Sequence, residues 1–437
     1  MKKDSVNVGI IGFGTVGSGT ARILLNSRQL IRQKTGIDIN LKRISDLDIK
    51  RDRGFKVPDG ILTTNAKDIL HDDDIDIVVE LIGGIHPAKD FMLEAISQKK
   101  HVVTANKALL ATEGRDIFRA ADKEGVDVGF EASVAGGIPI IKVLKEGLVA
   151  NNINAIYGII NGTCNFILTK MTNEGAEFSD TLKEAQRLGY AEADPTFDIE
   201  GIDTTHKLAI LGSLAFGIPL SYNRIYREGI THITAQDISF ANELGYKIKL
   251  LAIAKITEGK VEMRVHPTMV PNHYLISKID GVFNAVYVEG DSVGATLYYG
   301  RGAGDMPTGS AVVADIVDIA KKIQVAKSPD KYIGLLANDQ YKIEIMDMGD
   351  VQSNYYFRFS ALDKPGILSK ISGVLGANNI SIASVIQKGR QVGGSVPLVM
   401  LTHSARERDV LNALNEIDKM PVVSSNTLFI RVEGKVE

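Results

Sequence analysis

The chain has 437 residues, of which 24% are charged, and a formal net charge of −3. That length holds roughly two to four domains, and the near-neutral balance supplies no basic footprint, which sets nucleic acid and anionic membrane surfaces aside as partners. One cysteine, Cys164, excludes an internal disulfide framework; with no signal-peptide pattern and no apolar run long enough for a membrane span, a cytoplasmic protein acting on small molecules is expected.

Residues 1–133 alternate β-branched runs with helical patterns. VNVGII, INLKRISD, IDIVVELI, HVVTAN and VDVGFEA read as strands, and TVGSGTARILLNSR, HPAKDFMLEAISQ and TEGRDIFRAADKEG as helices. The alternation predicts an α/β domain of the doubly wound, Rossmann type. Its first turn, Gly12-Phe13-Gly14-Thr15-Val16-Gly17, directly follows a strand and opens a helix. Glycines there serve a tight turn, close approach of backbone to a pyrophosphate and packing of helix on sheet, so a nicotinamide dinucleotide site is expected. A P-loop is excluded because no Gly-Lys-Ser/Thr follows. Asp46, after the second strand, is placed to accept the ribose hydroxyls of NAD. Lys42 or Arg43 would instead serve the 2′-phosphate of NADP, but strand alternation turns only one of them to the cofactor and Ser45 has no charge, so the residues favour NAD. HVVTANKALL ends its strand at Thr104-Ala105-Asn106-Lys107. Ligands lie beyond the carboxyl ends of such strands, making Thr104 and Lys107 site candidates against the plainer reading of a solvated lysine at a helix start.

Residues 134–307 read as a second, α+β domain with an open sheet. NINAIYGIINGTCNFILTK, MRVHPTMV and GVFNAVYVEG look strand-like, and DTLKEAQRLG and SFANELGYKIKLLAIAKI helical. Within it, positions 189–207 read GYAEADPTFDIEGIDTTHK, with five carboxylates closing on a lysine. Such a cluster is often only a solvated face, but Pro195 and Gly201 break it into a turn and a helix start. Asp203 and Lys207 then share one side of a helix that continues through LAILGSLAF and is apolar enough to be buried. A carboxylate and an ammonium at its opening suit the rim of a cleft that moves protons on a small molecule. If Lys107 lay near Lys207, each would lower the other's pKa while the carboxylates opposed it, and one would act as general acid or base. Cys164 has no partnered histidine in the sequence and reads as a buried thiol rather than a nucleophile. His206 faces away from Lys207 by helical phase and reads as structural.

The sequence GRGAGDMPT begins at Gly300 and precedes a helix expected over about 308–340, which would complete the first domain. Gly302 and Gly304 either bring backbone to the cofactor from a second wall or shape an ordinary loop. Residues 351–437 follow the order strand, helix, strand, strand, helix, strand, a ferredoxin-like βαββαβ module separate from the rest. Pairing of its edge strands between copies would give a homodimer or homotetramer.

GFGTVG, TANKALLA, EASVAGGIPII, NGTCNFIL, GYAEADPTFDIEGIDTTHK and GRGAGDMPT, in this order, resemble the homoserine dehydrogenases over nearly the first 340 residues, and the tail resembles an ACT domain. The resemblance implies NAD(P)-dependent interconversion of L-homoserine and L-aspartate 4-semialdehyde. It implies Glu192 and Asp203 as substrate ligands, Lys207 as proton donor and acceptor, and Lys107 as a second lysine that binds substrate and shares in catalysis. Thr163 and Asp198 match lesser site positions, and Gly189 joins the cofactor-binding glycines. It further implies a structural monovalent cation, sodium or potassium, held by Glu131 and backbone oxygens of Val134, Gly136 and Ile138. In the tail it implies an amino-acid effector site at Asp363, Pro365 and Gly366, with threonine as effector. Many relatives carry arginine near Ser45, and its absence here counts against NADP. Two alternatives stand beside this reading: a dehydrogenase for another amino-acid semialdehyde, and a catalytically silent amino-acid sensor on the same scaffold.

Overall fold

A computed structural model of the chain describes residues 5–220, 222–325, 336, 343–387 and 394–434. The chain divides into two compact units, Met1–Gly162 with Ile202–Ile225 and Val282–Glu344, and Thr163–Gly201 with Tyr226–Gly281 and Ile345–Glu437. Of the three spans read from sequence, 1–133 falls in the first unit and 351–437 in the second, and 134–307 is divided between them.

The first unit opens with six parallel strands, β1 (Ser5–Ile11), β2 (Asp38–Ser45), β3 (Leu62–Thr63), β4 (Ile77–Glu80), β5 (His101–Thr104) and β6 (Val128–Gly129), in the order β3-β2-β1-β4-β5-β6. The order reverses between β1 and β4, which opens a crevice at their carboxyl ends. β4 is buried at every residue, the continuous apolar character expected of a strand covered on both faces. The helix Asp305–Gln324 returns from far along the chain and adds Val312, Ile316 and Ala320 to the core formed by Ile10, Val79 and their neighbours. Its fit against the helix Thr15–Asn26 depends on Gly19, where a Cβ would come 2.1 Å from Asp305 O. The expected helix over 308–340 therefore starts slightly earlier and ends at Gln324; residues 326–335 and 337–342 lie outside the described residues. The same unit holds an antiparallel set in which Phe283–Gly290 pairs with Ile153–Ile159 on one side and Gly294–Arg301 on the other.

Two stretches of the expected second domain differ from the sequence reading. NINAIYGIINGTCNFILTK is a strand only through Ile159 and then a helix, Gly162–Glu174. SFANELGYKIKLLAIAKI is a helix only at its start. Ala235–Glu243 opens on a capping box between Thr234 and Asp237 and stops before Gly245, which sits at φ 85°. Tyr246–Thr257 is then a strand, paired antiparallel with Lys260–Pro271 along its whole length. The two residues between them, Glu258 and Gly259, have φ 51° and 77°, the left-handed pair that matches a tight hairpin to strand twist. Most of the strand is buried on both faces, so no alternation marked it.

The tail has the expected order, with Gln352–Leu362 flanked by Leu428–Val432 and Ser395–Thr402, and Ile382–Gln387 at the edge. Alternate residues Tyr355, Phe357 and Phe359 pack under the helices Ile367–Ala377 and Glu407–Ile417 with Ile371, Leu375 and Val410. It is joined to the rest of its unit: Leu428–Val432 also pairs parallel with Lys260–Pro271, through Thr268↔Arg431 and Met269↔Val432. Arg431, 1% exposed, explains the attachment. Its guanidinium forms an ion pair with Glu407 inside the tail, and Nη1 donates to Glu228 at 2.7 Å and Nη2 to the Tyr226 hydroxyl at 3.0 Å. Arg358 and the Tyr356 hydroxyl of the tail likewise meet Asp237, at 2.6 and 3.2 Å.

Burial works to raise the Glu228 carboxyl, but His232 and Arg431 outweigh it and hold it at about 2, below its ordinary value of 4.5. A depressed folded value contributes stability that is complete above about pH 4.5 and lost as pH falls toward 2. Glu228→Gln is therefore expected to lower stability by about 2–3 kcal/mol at pH 7, with the gap from wild type closing across that acid window, as measured by urea unfolding at a series of pH values.

Candidate active site

The nucleotide-binding turn is built as its spacing requires. Gly12 has φ 103°, and a Cβ there would come 2.6 Å from the backbone of Leu81. A Cβ at Gly17 would come 2.0 Å from Gly12 O, whereas one at Gly14 would meet no atom within 4 Å. The first and third glycines therefore permit turn and helix packing, and the second leaves an open face for a ligand. The turn borders a cleft of about 630 Å³ lined by Gly12, Gly14, Asp46, Asn65, Ile82 and Gly83. Asp46 Oδ2 accepts the Phe13 N–H at 2.6 Å and Oδ1 accepts that of Asp48 at 2.8 Å. Lys42, a candidate for a 2′-phosphate, instead donates to Asp72 and Asp74, each at 2.8 Å. The cation beside Asp46 is Arg53, 3.8 Å from Oδ1, with its guanidinium 4.8 Å from the centre of the Phe13 ring. Sequence reasoning missed it because it lies in an irregular loop with no motif around it.

The acid–lysine cluster forms where two helices begin. Gly201, at φ 74°, separates the short helix Thr196–Ile199 from Ile202–Phe216, whose residues are almost all buried. Asp203 lies in the first turn of the latter, where the helix dipole favours a negative charge. Lys207, four residues on, donates to Asp203 Oδ2 at 2.6 Å and to Ile160 O at 2.6 Å. Lys107 is the first residue of the helix Lys107–Glu124, where a cation has the wrong sign for the dipole. Its Nζ is 2.9 Å from Asp203 Oδ1. Asn161 completes the set, donating from Nδ2 to Asp203 Oδ2 at 3.0 Å. It too was missed, although a polar residue closing an apolar strand just before the glycine of NGTCNF was the available signal.

Asp203 is 3% and Lys207 8% exposed. Burial acts to raise the Asp203 carboxyl, yet the ammonium groups of Lys207 and Lys107 overcome it and hold the group well below the carboxylate range. The two lysines thus share one counter-ion. His206 stacks obliquely on Tyr222, ring centres 4.4 Å apart, as a structural residue would.

The other residues named from sequence lie as follows. In the second unit, the Thr163 hydroxyl is 2.6 Å from Tyr190 O and 3.2 Å from Asp198 Oδ2. Glu192 is exposed on its turn, as is Gly189, at φ 75°. Cys164 is buried, its thiol 3.3 Å from Asp198 O. In the first unit, Thr104 is fully buried with its hydroxyl donated to Glu80. Gly304 precedes the helix Asp305–Gln324 at φ 119°, and a Cβ at Gly302 would come 2.0 Å from the Asn284 amide, a packing reason for glycine. Glu131 is 3% exposed and accepts the N–H groups of Ile141 and Lys142, each at 2.8 Å. Burial pushes its carboxyl up to about 7, and burial with the Glu131 charge does the same to neighbouring Asp315. Val134 and Ile138 are buried, and Gly136 packs its backbone on that of Gly302. Among the described residues no group of three or more His, Cys, Asp or Glu side chains is disposed to hold a metal ion, and no helix is long and apolar enough to cross a membrane. In the tail, a cavity of about 490 Å³ is lined by Asp363, Lys364, Pro365, Gly366, Gln387 and Leu398.

A dinucleotide cleft of Rossmann type, and a lysine–carboxylate–lysine cluster reaching the end of β5, define an NAD(P)-dependent oxidoreductase. Family models agree: residues 12–131 match the homoserine dehydrogenase NAD binding domain, 139–317 homoserine dehydrogenase, and 355–422 the ACT domain. The chain belongs to the homoserine dehydrogenase family. It is 46% identical to the homoserine dehydrogenase of Neisseria gonorrhoeae over 98% of this chain and 99% of that one. The crystal structure of a homoserine dehydrogenase from Thiobacillus denitrificans superposes with a TM-score of 0.93 at 46% identity, covering 100% of both chains. A hyperthermophilic archaeal homoserine dehydrogenase in complex with NADPH gives 0.61 at 29% identity, covering 73% of this chain and 98% of that one.

Replacing Asp203 by Asn leaves the buried Lys207 ammonium without its carboxylate, and a loss of about 3 kcal/mol in unfolding free energy is expected. Lys107→Met should cost much less because the Lys107 side chain is 35% exposed; denaturant unfolding of the two variants side by side checks the ranking.

Proposed function

We propose that this chain interconverts L-homoserine and L-aspartate 4-semialdehyde with NAD(P), a step toward threonine and methionine, using the Asp203, Lys207 and Lys107 cluster for its proton chemistry. The observation that carries the reading is the buried Lys207 ammonium held 2.6 Å from Asp203. Bound NAD(P) supplies hydride transfer at its nicotinamide. In the direction of reduction Lys207 donates a proton to the carbonyl oxygen as it becomes a hydroxyl, and in oxidation it takes that proton back. Asp203 holds the lysine in place and Lys107 steadies the substrate from a second helix start. Glu192 offers an exposed carboxylate to the substrate's α-ammonium, with Thr163 and Asp198 as further contacts.

Gly12 to Gly17 cradle the pyrophosphate and Asp46 meets the ribose, with Thr104, Gly189, Gly302 and Gly304 as further cofactor contacts. NAD is favoured: Asp46 lies at the cleft and Lys42 is engaged by two aspartates. Arg53 is the group a 2′-phosphate would meet, and the archaeal relative's complex with NADPH supports that use. A structural sodium or potassium ion at Glu131 and the carbonyls of Val134, Gly136 and Ile138 belongs to the same reading. Oxygen donors suit a hard cation, and a positive charge there would relieve the crowding of Glu131 against Asp315. Residues 1–133, 134–307 and 351–437 then serve as nucleotide-binding, catalytic and regulatory domains. The edge strands Gly294–Arg301 and Ile382–Gln387 suit pairing between copies in a homodimer or homotetramer, and the single buried thiol suits the cytoplasm.

Homoserine-dependent reduction of NAD and of NADP by the purified chain tests the activity. Lys207→Ala is expected to lower kcat by about 10²–10⁴-fold with the fold intact by circular dichroism; undiminished turnover would remove Lys207 from the chemistry. Threonine is the proposed effector, held at the cavity beside Asp363, Pro365 and Gly366. Added threonine should reduce turnover of the wild type, and Asp363→Ala should require a higher threonine concentration for the same inhibition.

A further inference from the structure

Glu80 closes β4 with 1% of its surface exposed, yet the partners that surround its carboxylate are neutral. Oε1 accepts the backbone N–H of Ile82 at 2.9 Å and of Gly83 at 3.2 Å, and Oε2 accepts the Thr104 hydroxyl at 2.7 Å. Both oxygens accept and neither donates, a pattern that a carboxylate satisfies and an amide does not. Because the Thr104 hydroxyl proton is committed to Glu80, its oxygen is turned to accept the Asn106 N–H, at 3.0 Å. Asn106 in turn donates from Nδ2 to Gly84 O at 2.6 Å and accepts the Leu109 N–H at 3.1 Å. The contacts form a closed ring from Glu80 through residues 82–84 to Asn106, Thr104 and back. On one side of that ring, Ile82 and Gly83 line the dinucleotide cleft. On the other, Asn106 caps the helix whose first residue is Lys107, 2.9 Å from Asp203.

We infer that Glu80 is a positioning residue for the reaction: through Thr104 and Asn106 it fixes the first turn of the Lys107 helix, and through Ile82 and Gly83 it ties that turn to the wall of the cofactor cleft. The inference rests on Lys107 being a substrate-side lysine. Charge-assisted bonds to two backbone donors and one hydroxyl hold the ring more firmly than neutral ones would. Displacement of a reacting group by about 1 Å costs on the order of 10²-fold in rate, so the ring has leverage although none of its side chains needs to touch substrate.

The test compares Glu80→Gln, Thr104→Val and Thr104→Ser, with Lys107→Met alone and combined with Thr104→Val. Thr104→Val is isosteric and leaves both backbone donors on Glu80, so it carries the test if Glu80→Gln fails to fold. The expected result is a drop in kcat of roughly 10- to 100-fold for Glu80→Gln and Thr104→Val, an altered pH profile of kcat, and rescue in Thr104→Ser. In the Lys107→Met background, Thr104→Val should add little further loss, because both changes act through one group. A lower melting temperature with unchanged kcat and pH profile would make the ring merely structural and overturn the inference, as would an equal loss from Thr104→Val with Lys107 already removed. Wild-type kcat in Lys107→Met alone would overturn the reading of Lys107, and this inference with it, while leaving the Lys207 chemistry standing.

Discussion

Asp203 keeps a negative charge with 3% of its surface exposed, a state that costs several kcal/mol unless matched by opposite charge and hydrogen bonds. What surrounds it follows from that requirement. The start of its own helix, the Lys207 and Lys107 ammonium groups and the Asn161 amide all turn toward one carboxylate. Asp203 thus gathers two ammonium groups at one place. Ammonium groups so placed favour an oxygen on which negative charge develops, as a carbonyl oxygen does when a hydride adds to its carbon. Lys107 would be poorly placed at a helix start without Asp203, and Lys207 poorly placed in an apolar helix. The three residues are therefore one electrostatic unit, and none can be exchanged without changing what the other two require.

The cofactor cleft is governed by a different constraint, the closeness of backbone to backbone. Gly12 sits against Leu81 and Gly17 against Gly12, so the turn is locked into the mouth of the sheet, while Gly14 leaves its side open. Gly136 and Gly302 repeat the arrangement where the sequences EASVAGGIPI and GRGAGDMPT meet. These contacts bring the helix Asp305–Gln324 back onto the first domain across nearly the whole intervening chain.

Features set by local chemistry were legible in the sequence. The glycine turn, the strand ends at Asp46 and Thr104, the helix start after Gly201 and the order of elements in the tail follow from spacing, capping and turn residues alone. Features set by tertiary surroundings were not. Tyr246–Thr257 carries an apolar run that is buried on both faces, so neither helical nor strand periodicity distinguished it, and the left-handed Glu258-Gly259 turn was its only marker. β3 has two residues, too few to show a period. Arg53 and Asn161 acquire meaning from partners that sequence spacing does not reveal: Arg53 from Asp46 and Phe13, Asn161 from Asp203 42 residues away. Lys42 shows the converse, a residue well spaced for a phosphate but taken by Asp72 and Asp74.

The tail matches the ACT domain over residues 355–422, and a ferredoxin-like pattern by itself looks self-sufficient. Its last strand instead continues into a second pairing, and Arg431 is buried with carboxylates of both parts, Glu407 within the tail and Glu228 outside it. Glu228 begins a short segment whose backbone is tied to the acid-rich loop: Ile230 donates to Ile199 O at 2.9 Å, and Gly229 packs so closely that a Cβ would come 2.5 Å from the same oxygen. Ile199 is four residues before Asp203 in the sequence. A shift of the final strand therefore either carries Glu228 and that segment with it or separates a buried arginine from its carboxylate. Separation costs several kcal/mol, comparable to or larger than the 1–3 kcal/mol typical of a coupling between sites. Movement together is the less costly course, and it makes the strand Leu428–Val432, the segment from Glu228 and the acid-rich loop one mechanical piece.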